Sequence, residues 1–512
     1  MTRAPNRVMI TLSIMLATIM QTLDSTIANV ALPHMQGSLS ASQDQIAWVL
    51  TAYIVAAAIA TPLTGWLVDR FGQKNIFLTS IAGFTIASML CGMSTSLGQI
   101  VVARLLQGAF GAALVPLAQV VVLDINPREK QGSAMAVWGM GVMVGPILGP
   151  TLGGWLTDSY NWRWVFFINV PIGLLAIYGM WKYIRPVRGA RRQRFDMFGF
   201  ATLSLAIGAL QLLLDRGQQN DWFSSTETWI EAISLIVMTT YFAAHTALTP
   251  ADKSFVDFRL FKNRNYVSGV LFIFIMGLVL FATRALIPTM LETLLHYPVA
   301  TTGLVTAPAG VGTMLAMLVV GRLIGKIDLR LILFVGFMGS AVALWQMAHY
   351  SLELSQGDII WPGVIQGVGV GLVFVPLSAA TFATLRADMR AQGTAVYSLV
   401  RNIGSSVGIS LVQTLLVRNS VIAHASLAER VTYASAAWHD PATARVYDIG
   451  TLGGAALLDG AVTQQAAMIA YIDDFWLMLF LTLGVMPLLL LIKPPESRKS
   501  SNAGTDVHAV ME

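Results

Sequence analysis

Residues 65–74 read GWLVDRFGQK, and the fold of the whole chain is inferred outward from this segment. The segment ends one apolar run of membrane length, 46–68, and lies directly before another. Gly65 and Gly72 permit a tight turn and close contact between helices, and Asp69 can accept charge-assisted hydrogen bonds or face the N-terminus of another helix. The Gly-x-x-x-Asp-Arg-x-Gly spacing favours a specialised turn between two membrane helices, with an ordinary basic loop as the alternative.

The composition on both sides of this segment is that of a polytopic membrane protein. Of 512 residues, 55% are hydrophobic and only 12% are charged, whereas soluble domains contain about 25% charged residues. The apolar content excludes a disordered chain, and the single cysteine, Cys91, excludes a disulfide scaffold. The net charge of +5 is attributed to basic loops at the membrane and not to nucleic-acid binding.

Fourteen apolar runs are long enough to cross a bilayer, which takes about 20 residues each. They cover 9–32, 46–68, 76–97, 100–122, 133–157, 163–182, 198–214, 229–248, 266–290, 300–324, 329–350, 359–383, 393–416 and 473–492. We expect the first run to be retained as a helix and not removed as a signal peptide. The predicted fold class is therefore an all-α polytopic membrane protein with 14 transmembrane helices.

The charges between the runs predict how the chain is oriented. With the N-terminus inside the cell, 24 of the 32 Lys and Arg residues lie in inside segments and five in outside segments. Cytoplasmic loops carry such an excess of basic residues, so we expect both termini to be cytoplasmic. The polar connection 417–472 then lies outside. Its length favours a functional loop over a floppy insertion, and 426–438 can form a helix.

The two halves of the chain repeat one another. The segment 107–117 matches 366–377, and 130–134 matches 391–395, at nearly one offset. Helices 1–6 then correspond to helices 9–14, and duplicated halves place a binding site at their interface near the bilayer midplane. The predicted domains are an N-terminal six-helix bundle at 1–190, two inserted helices at 191–262, and a C-terminal six-helix bundle at 263–512 that includes the connection 417–472.

Four segments together resemble the signature motifs of the major facilitator superfamily. They are GWLVDRFGQK at 65–74, LDSTIANVALP at 23–33, RLLQG at 104–108 and GVMVGPILGPTLGG at 141–154. The segments 23–33 and 141–154 are similar to the first-helix and fifth-helix motifs of the fourteen-helix drug:proton antiporters of the EmrB/QacA type. The long connection 417–472 and the closing residues 493–495 are similar to the EmrB-type subgroup.

This resemblance implies a major facilitator fold in which two inserted helices join two six-helix bundles. It implies multidrug efflux of hydrophobic or amphipathic compounds across a bacterial inner membrane, driven by inward proton flow without a cofactor, with antibiotic resistance as the result. The implied partners are drugs, protons, membrane lipids, a periplasmic adaptor of the EmrA type and an outer-membrane channel. The alternatives are a dedicated exporter of one lipid or metabolite, and a receptor or scaffold, which the retained motifs disfavour.

Asp24 and Arg104 are the main candidate residues for proton coupling and substrate binding. Asp24 lies deep in the first apolar run, where a charge costs at least about 2.5 kcal/mol unless it faces a cavity or a partner. Burial favours its neutral form and a nearby cation its charged form, so its protonation can change in a transport cycle. Arg104 stays protonated but can compete for Asp24. The alternatives are a structurally paired aspartate and an arginine that reaches toward the membrane surface.

Two further groups of candidate residues are assigned to motifs. The gating motif consists of Gly65, Asp69, Arg70, Gly72 and Lys74, and the antiporter motif consists of Gly141, Gly145, Pro146, Gly149, Pro150, Gly153 and Gly154. Glycines spaced by four residues form one small face of a helix. The resemblance assigns this face to a gate against the opposite half, whereas tight helix packing alone also explains it.

The remaining candidates lie in the C-terminal half. Arg284 is expected to pair with Glu292 or to line an outer cavity, and both residues are added to the proton and substrate set. Arg401 and Asn402 lie near the cytoplasmic end of the thirteenth run. If Asp24 does not carry the proton, Glu292 and Asp158 are the next candidates.

Enzyme chemistry has little support in the sequence. The chain has no Gly-x-x-x-x-Gly-Lys-Ser/Thr loop for binding phosphates, so ATP is not the expected energy source. The seven histidines show no metal-ligand spacing. We therefore assign no catalytic and no metal-binding residues.

Overall fold

The computed structural model of the protein describes residues 6–184, 195–250, 253–386, 389–431, 446–447 and 450–491. Most of these residues are helical, and no β-strand occurs among them. The predicted domain boundary between 190 and 191 and the closing residues 493–495 lie outside the described residues.

Among the described residues, fourteen helical elements are long and apolar enough to span a membrane, as predicted. Thirteen are single elements, and one is a pair of helices bent by 55°. In chain order they are α1 (Arg7–Ser38), α2 (Trp48–Ala60 and Leu63–Phe71), α3 (Gln73–Met93), α4 (Leu97–Ile125), α5 (Arg128–Ser159), α6 (Asn169–Tyr183, preceded in the same span by the short helix Trp164–Phe167), α7 (Met197–Arg216), α8 (Thr226–Leu248), α9 (Arg264–Leu294), α10 (Val299–Leu323), α11 (Leu329–Met347), α12 (Gln356–Ala383), α13 (Arg390–Glu429) and α14 (Leu452–Val485).

Prolines account for the interruptions in α2 and α4. Pro62 lies in the break of α2 between Ala60 and Leu63, where its ring and missing N–H favour a bend. The helix of α4 is interrupted at Ala112, whose carbonyl loses its usual helical partner because Pro116 has no N–H. At its break α2 changes direction by 55°, which lets its two segments contact different neighbours.

Contacts divide most of the helices into two groups. Helices α1, α3, α4, α5 and α6 pack mainly on one another and on α2, and α9–α14 form a second group. Between the groups, α5 packs along α10, and α13 packs against the ends of α2 and α4. We call the membrane face at which α1 begins the N face and the opposite one the far face. The contacts of α13 with α2 and α4 lie at the N face.

The inserted helix α7 lies between the halves. It packs on α2 and on α13. The hydroxyl of Thr51 on α2 donates to the carboxylate of Asp215, and Nε2 of Gln211 donates to the hydroxyl of Ser406 on α13 at 2.9 Å. Helix α8 packs on α7 and leaves most of its surface exposed. Helix α7 therefore connects one half to the other, while α8 lies at the periphery.

The expectation of a long polar loop at 417–472 is wrong for most of the described part of it. Helix α13 continues to Glu429, and α14 begins at Leu452. A 40-residue helix is about 60 Å long, about twice the hydrocarbon thickness, so both helices extend beyond the far face. Polar residues set the ends of the predicted spans, but a helix can continue through polar residues beyond the membrane. Residues 432–445 lie outside the described residues, so the predicted helix at 426–438 is confirmed only to Glu429.

Candidate functional site

A network of polar side chains surrounds Asp24 in the interior of the N-terminal half. Asp24 on α1 is 0% exposed. Its Oδ2 accepts a hydrogen bond from Nη1 of Arg104 at 2.7 Å. Its Oδ1 accepts hydrogen bonds from Nε2 of Gln107 at 2.7 Å and from Nδ2 of Asn169 at 2.9 Å. Three donors therefore stabilise the charged form of one buried carboxylate.

Arg104 makes several further contacts with protein groups. Its Nε donates to the carbonyl of Val49 at 3.0 Å, and its Nη1 also donates to Oε1 of Gln107 at 2.8 Å. Its guanidinium carbon lies 4.3 Å from the centre of the Tyr53 ring, a cation–π contact. Arg104 is 1% exposed, so it does not reach the membrane surface. Both Asp24 and Arg104 are satisfied by protein groups.

Three helices build this network, and only part of it was visible in the sequence. Arg104 and Gln107 are three residues apart, so they share one face of α4. Asn169 is the first residue of α6 and also donates to the hydroxyl of Ser88 on α3 at 2.9 Å. The repeat drew attention to Gln107 but did not indicate what it binds. No sequence signal pointed to Asn169, because a single asparagine at a helix end is common.

The surface of α1 beside Asp24 is polar. Gln21, Ser25 and Asn29 are spaced by four residues and so form one stripe. Ser25 and Asn29 are exposed. A polar molecule on this stripe lies within about one helical turn of Asp24. Movement of Arg104 would therefore open the carboxylate to a ligand at that surface.

The glycines of the antiporter motif face α1 and not the opposite half, so the expected gate against that half is wrong for this face. A Cβ on Gly145 would lie 2.6 Å from the backbone nitrogen of Leu23, and one on Gly149 would lie 2.1 Å from Oγ1 of Thr26. Because α1 and α5 belong to the same half, the face serves their close packing. The contact with the opposite half uses other residues of α5, such as Ile147 beside Gly310 of α10.

A proline of the motif supplies a hydrogen-bond acceptor to α1. Pro146 has no N–H, so the carbonyl of Val142 four residues earlier lacks its helical partner. The hydroxyl of Thr22 on α1 donates to this carbonyl at 3.2 Å. Pro150 lies one turn further on, and a Cβ on Gly154 would meet nothing within 4 Å. The carbonyl freed by Pro146 and the glycine face thus attach α5 to the helix that carries Asp24.

The gating motif lies where α2 meets α13 at the N face. A Cβ on Gly65 would be 3.0 Å from the Cα of Gln392. Gly72 has φ of +84°, a conformation that side chains disfavour, and it makes the turn from α2 to α3. Asp69 is half-buried between these two glycines. The motif therefore combines a close contact between the halves with a turn that only glycine adopts easily.

Two basic residues of the gating motif brace the N-terminal half itself. Nζ of Lys74 donates to the carbonyl of Trp181 at 2.7 Å and to that of Ile184, at the end of α6. Cations are favourable at a helix C-terminus. The guanidinium of Arg70 lies 5.6 Å from the ring of Trp66.

An ion pair beside this motif joins the two halves. Nη1 of Arg390 at the start of α13 donates to Oδ1 of Asp124 at the end of α4 at 2.9 Å. Nearby, Ile324 of the C-terminal half contacts Gly132 of α5 so closely that a Cβ there would lie 2.6 Å from it. The halves are therefore in contact at the N face in this conformation.

The expected pairing of Arg284 with Glu292 is wrong. Within the described part of the chain, no ion pair joins them, and Nη2 of Arg284 instead lies 4.0 Å from Sδ of Met143 on α5. Eight residues along a helix separate two side chains by about 12 Å, and Glu292 also lies in a π-helical turn, Met290–Leu294. Arg284 therefore points toward the opposite half.

Arg401 and Asn402 lie on α13 where it crosses α9. Nη2 of Arg401 donates to Oδ1 of Asn402 at 3.3 Å. A Cβ on Gly277 of α9 would lie 2.5 Å from the carbonyl oxygen of Arg401. The structure thus separates Arg284 and Arg401 from the Asp24 network, and it brings only Arg104 of the predicted cations to Asp24.

Comparison with known proteins decides the family. The family model described as Major Facilitator Superfamily matches residues 14–409. The chain belongs to the major facilitator superfamily. It is 36% identical over 492 residues to the fatty acid resistance protein FarB of Neisseria gonorrhoeae, covering 95% of this chain and 96% of FarB. It is 35% identical over 498 residues to the multidrug export protein EmrB of Escherichia coli strain K12, covering 95% of this chain and 96% of EmrB.

A solved structure agrees in fold. The human organic anion transporter MFSD10 (TETRAN) matches with a TM-score of 0.59 and 13% identity, covering 93% of this chain and all of that one. The predicted major facilitator fold and EmrB-type resemblance are confirmed. The protein is a multi-pass membrane transporter and not an enzyme.

Proposed function

We propose that this transporter is a proton-coupled multidrug exporter, which exchanges hydrophobic or amphipathic compounds for protons. The observation that carries the proposal is the buried contact between Asp24 and Arg104. An ionisable residue inside a membrane bundle is costly and is a functional-site candidate by default. The names of two relatives, a multidrug export protein and a fatty acid resistance protein, support export as the direction. The proton gradient drives transport, and no cofactor takes part.

The proposed exchange uses competition for Asp24. In the conformation described here, Arg104 donates to the Asp24 carboxylate, which is fully buried. When Asp24 binds a proton, it loses the negative charge that attracts Arg104. When a cationic substrate binds instead, the substrate replaces Arg104 as the partner of the carboxylate. A neutral substrate binds on the polar stripe of α1 and from there displaces Arg104 from Asp24. Proton and substrate therefore weaken each other's binding by the same coupling free energy.

We further propose that the protein lies in a bacterial inner membrane with both termini in the cytoplasm. The excess of Lys and Arg in the loops on the N face supports this orientation. The N face is then cytoplasmic, and the pair Asp124–Arg390 belongs to a cytoplasmic gate. The far face, with the extensions of α13 and α14, is then periplasmic.

The extensions of α13 and α14 beyond the far face are the proposed docking site for a periplasmic adaptor of the EmrA type, which in turn contacts an outer-membrane channel. Hydrogen bonds hold the two extensions together, from Asn419 to Asp473 at 3.4 Å and between His424 and Asp459 at 3.1 Å. Deletion of 425–465 should spare transport in inverted vesicles but abolish drug resistance of intact cells, which supports antibiotic resistance as the outcome of export. Loss of both activities would indicate a folding role instead.

A dedicated exporter of one lipid is the second candidate, because FarB is named for fatty acid resistance. Uptake into inverted vesicles tests both. With an acid interior, vesicles that contain the transporter should accumulate ethidium, a lipophilic cation, and dodecanoate, a fatty acid. Accumulation of dodecanoate alone favours the dedicated exporter. Accumulation of neither, relative to vesicles without the transporter, or accumulation that ignores the pH gradient, contradicts proton-coupled export.

A further inference from the structure

A second carboxyl group is buried on α14 in the C-terminal half. Asp474 is 0% exposed, and neither of its carboxyl oxygens has a hydrogen-bond partner among the residues that the structure describes. Its neighbour Asp473 is exposed and accepts a hydrogen bond from Asn419. Two consecutive aspartates therefore have opposite environments, and only Asp473 has the one expected for a charged side chain.

The surroundings of Asp474 are apolar. Tyr471 and Phe475, one turn before it and next to it on α14, belong to a hydrophobic cluster that includes Met290 from the π-helical turn of α9. The ring of Phe475 packs 5.8 Å from that of Tyr350. An unpaired ionised carboxylate is strongly disfavoured in such surroundings, whereas the neutral acid is tolerated. Asp474 therefore carries a proton in this conformation.

Other charged or titratable residues do not compensate Asp474. Those toward the far face on α14 and on the elements packed against it are Arg284, Glu292, His349, Tyr350, Arg418, His424, Asp459, Tyr471 and Asp473. Within the described part of the chain, no hydrogen bond or ion pair joins any of them to the Asp474 carboxyl group. Its environment thus differs from that of Asp24, which has three donors.

The internal repeat gives the second observation. Gln366 matches Gln107, which binds Asp24, and α14 corresponds to α6, which supplies Asn169 to the same network. Gln366 lines a small cavity of the C-terminal half together with Ser340 and Thr482. Thr482 lies two turns from Asp474 on the same buried face of α14. The other residues that line this cavity are apolar, so these three side chains are the polar groups that an entering water molecule would contact.

The depth of Asp474 fits proton entry from the far face. It is 16 residues, or about 24 Å, from Leu490 near the N face, so it lies toward the far side of a hydrocarbon core about 30 Å thick. Tyr471 and the π-helical turn cover it on that side. This turn ends α9, and the connection to α10 follows it, so opening of this turn would admit water to the carboxyl group.

We propose that Asp474 is a second proton-carrying site of the transporter, on α14 of the C-terminal half. It takes up a proton from water when the far side opens and is neutral when buried, as here. When the N-face side opens and water reaches α14 from that side, the O–H bond breaks and the proton passes to this water. The proposal rests on proton-coupled export and adds a second carrier to it.

Infrared spectroscopy of the purified protein tests the protonation directly. At pH 7 the carbonyl stretch of a protonated carboxyl group should be present in the wild type, absent in Asp474→Asn, and unchanged in Asp473→Asn, the matched control. Identical spectra of the wild type and Asp474→Asn in that region would overturn the proposal. If Asp474→Asn does not fold, Asp474→Glu keeps the acid and should shift the band, and an unshifted band would count against the proposal.

The accumulation ratio of ethidium tests the carrier role. In inverted vesicles with the membrane potential clamped to zero, each coupled proton contributes tenfold accumulation per pH unit of gradient. Asp474→Asn should lower the limiting ratio tenfold per pH unit, and Asp473→Asn should match the wild type. A wild-type ratio in Asp474→Asn would overturn the second site. If the wild type itself fails to accumulate ethidium, proton-coupled export of this probe fails, while the infrared result still decides the protonation of Asp474.

Discussion

The guanidinium of Arg104 lies 2.7 Å from the carboxylate of Asp24, and neither side chain is more than 1% exposed. Buried ion pairs are weak evidence for stability, because well-packed apolar residues of similar size are often as stable or more so. Loss of one partner, in contrast, leaves an uncompensated charge. A pair of this kind suits a switch, in which a proton or a substrate takes the place of one partner.

Two replacements of Arg104 should distinguish the contribution of its charge from that of its hydrogen-bond geometry. Arg104→Ala leaves Asp24 buried without its cation, which costs about 3–5 kcal/mol, so the melting temperature in detergent should fall and export should cease. Arg104→Lys keeps the charge but cannot contact Asp24, Gln107 and Val49 together. It should recover part of the stability and export slowly. An alanine variant with wild-type melting and export would contradict a functional ion pair.

Loss of one amide donor should weaken the same network less severely. Asn169→Ala removes a hydrogen bond to a charged group, worth about 1.5–3 kcal/mol, so export at fixed pH should fall about tenfold or more and the melting temperature should drop. Asn75→Ala is the matched control, since Asn75 at the N-face end of α3 is exposed and its amide donates to the carbonyl of Phe71 at 3.1 Å. Equal effects of the two variants would argue against a specific role of Asn169.

A methyl group on the glycine face of α5 should push α1 away. Gly149→Ala would place its Cβ 2.1 Å from Oγ1 of Thr26, and overpacking of this kind typically costs 1–3 kcal/mol. Gly154→Ala, on the same helix, meets nothing within 4 Å and should behave like the wild type. Thermal melting and vesicle export compare the two. Equal tolerance of both substitutions would mean that the close packing of α1 and α5 is dispensable.

The ion pair between Asp124 and Arg390 should hold the N face closed. Asp124→Asn removes its charge, so a cysteine placed at Ile324, in a Cys91→Ser background, should react faster with a thiol reagent. Asp257→Asn is the control, because Asp257 pairs with Arg259 only two residues away and joins no second helix through that pair. Unchanged labelling in Asp124→Asn would show that this pair does not set the conformational equilibrium.

The fold was predictable because the bilayer requires long apolar helices, and because the four motif segments lie within these helices or, for 65–74, at the turn between two of them. The hydrogen-bond partners of individual side chains were harder to predict. Gln107 and Asn169 look like ordinary polar residues in sequence, and only the crossing of α1, α4 and α6 brings them to Asp24. Asp474 escaped notice because the last span was predicted to start at 473, which placed the aspartate at a water-exposed helix end.

The wrong predictions of which residues or helices are in contact also arose because sequence spacing does not place neighbouring side chains in space. The spacing of the glycines defines a face of α5 at Gly145 and Gly149, but spacing does not say which helix lies on that face. Arg284 and Glu292 share a helix, and sequence distance alone suggested contact where the helical rise prevents it. Helical extension to Glu429 depends on contact with α14, which no local pattern in the polar segment encodes.

Coupling of proton flow to export through Asp24 can be measured as ethidium uptake by acid-interior inverted vesicles that contain Asp24→Asn. The variant should retain exchange of ethidium across the membrane without a gradient, which shows that it folds and binds, but it should lose gradient-driven accumulation. Accumulation at the wild-type rate and to the wild-type level would contradict the account and move the essential proton site to another carboxyl group.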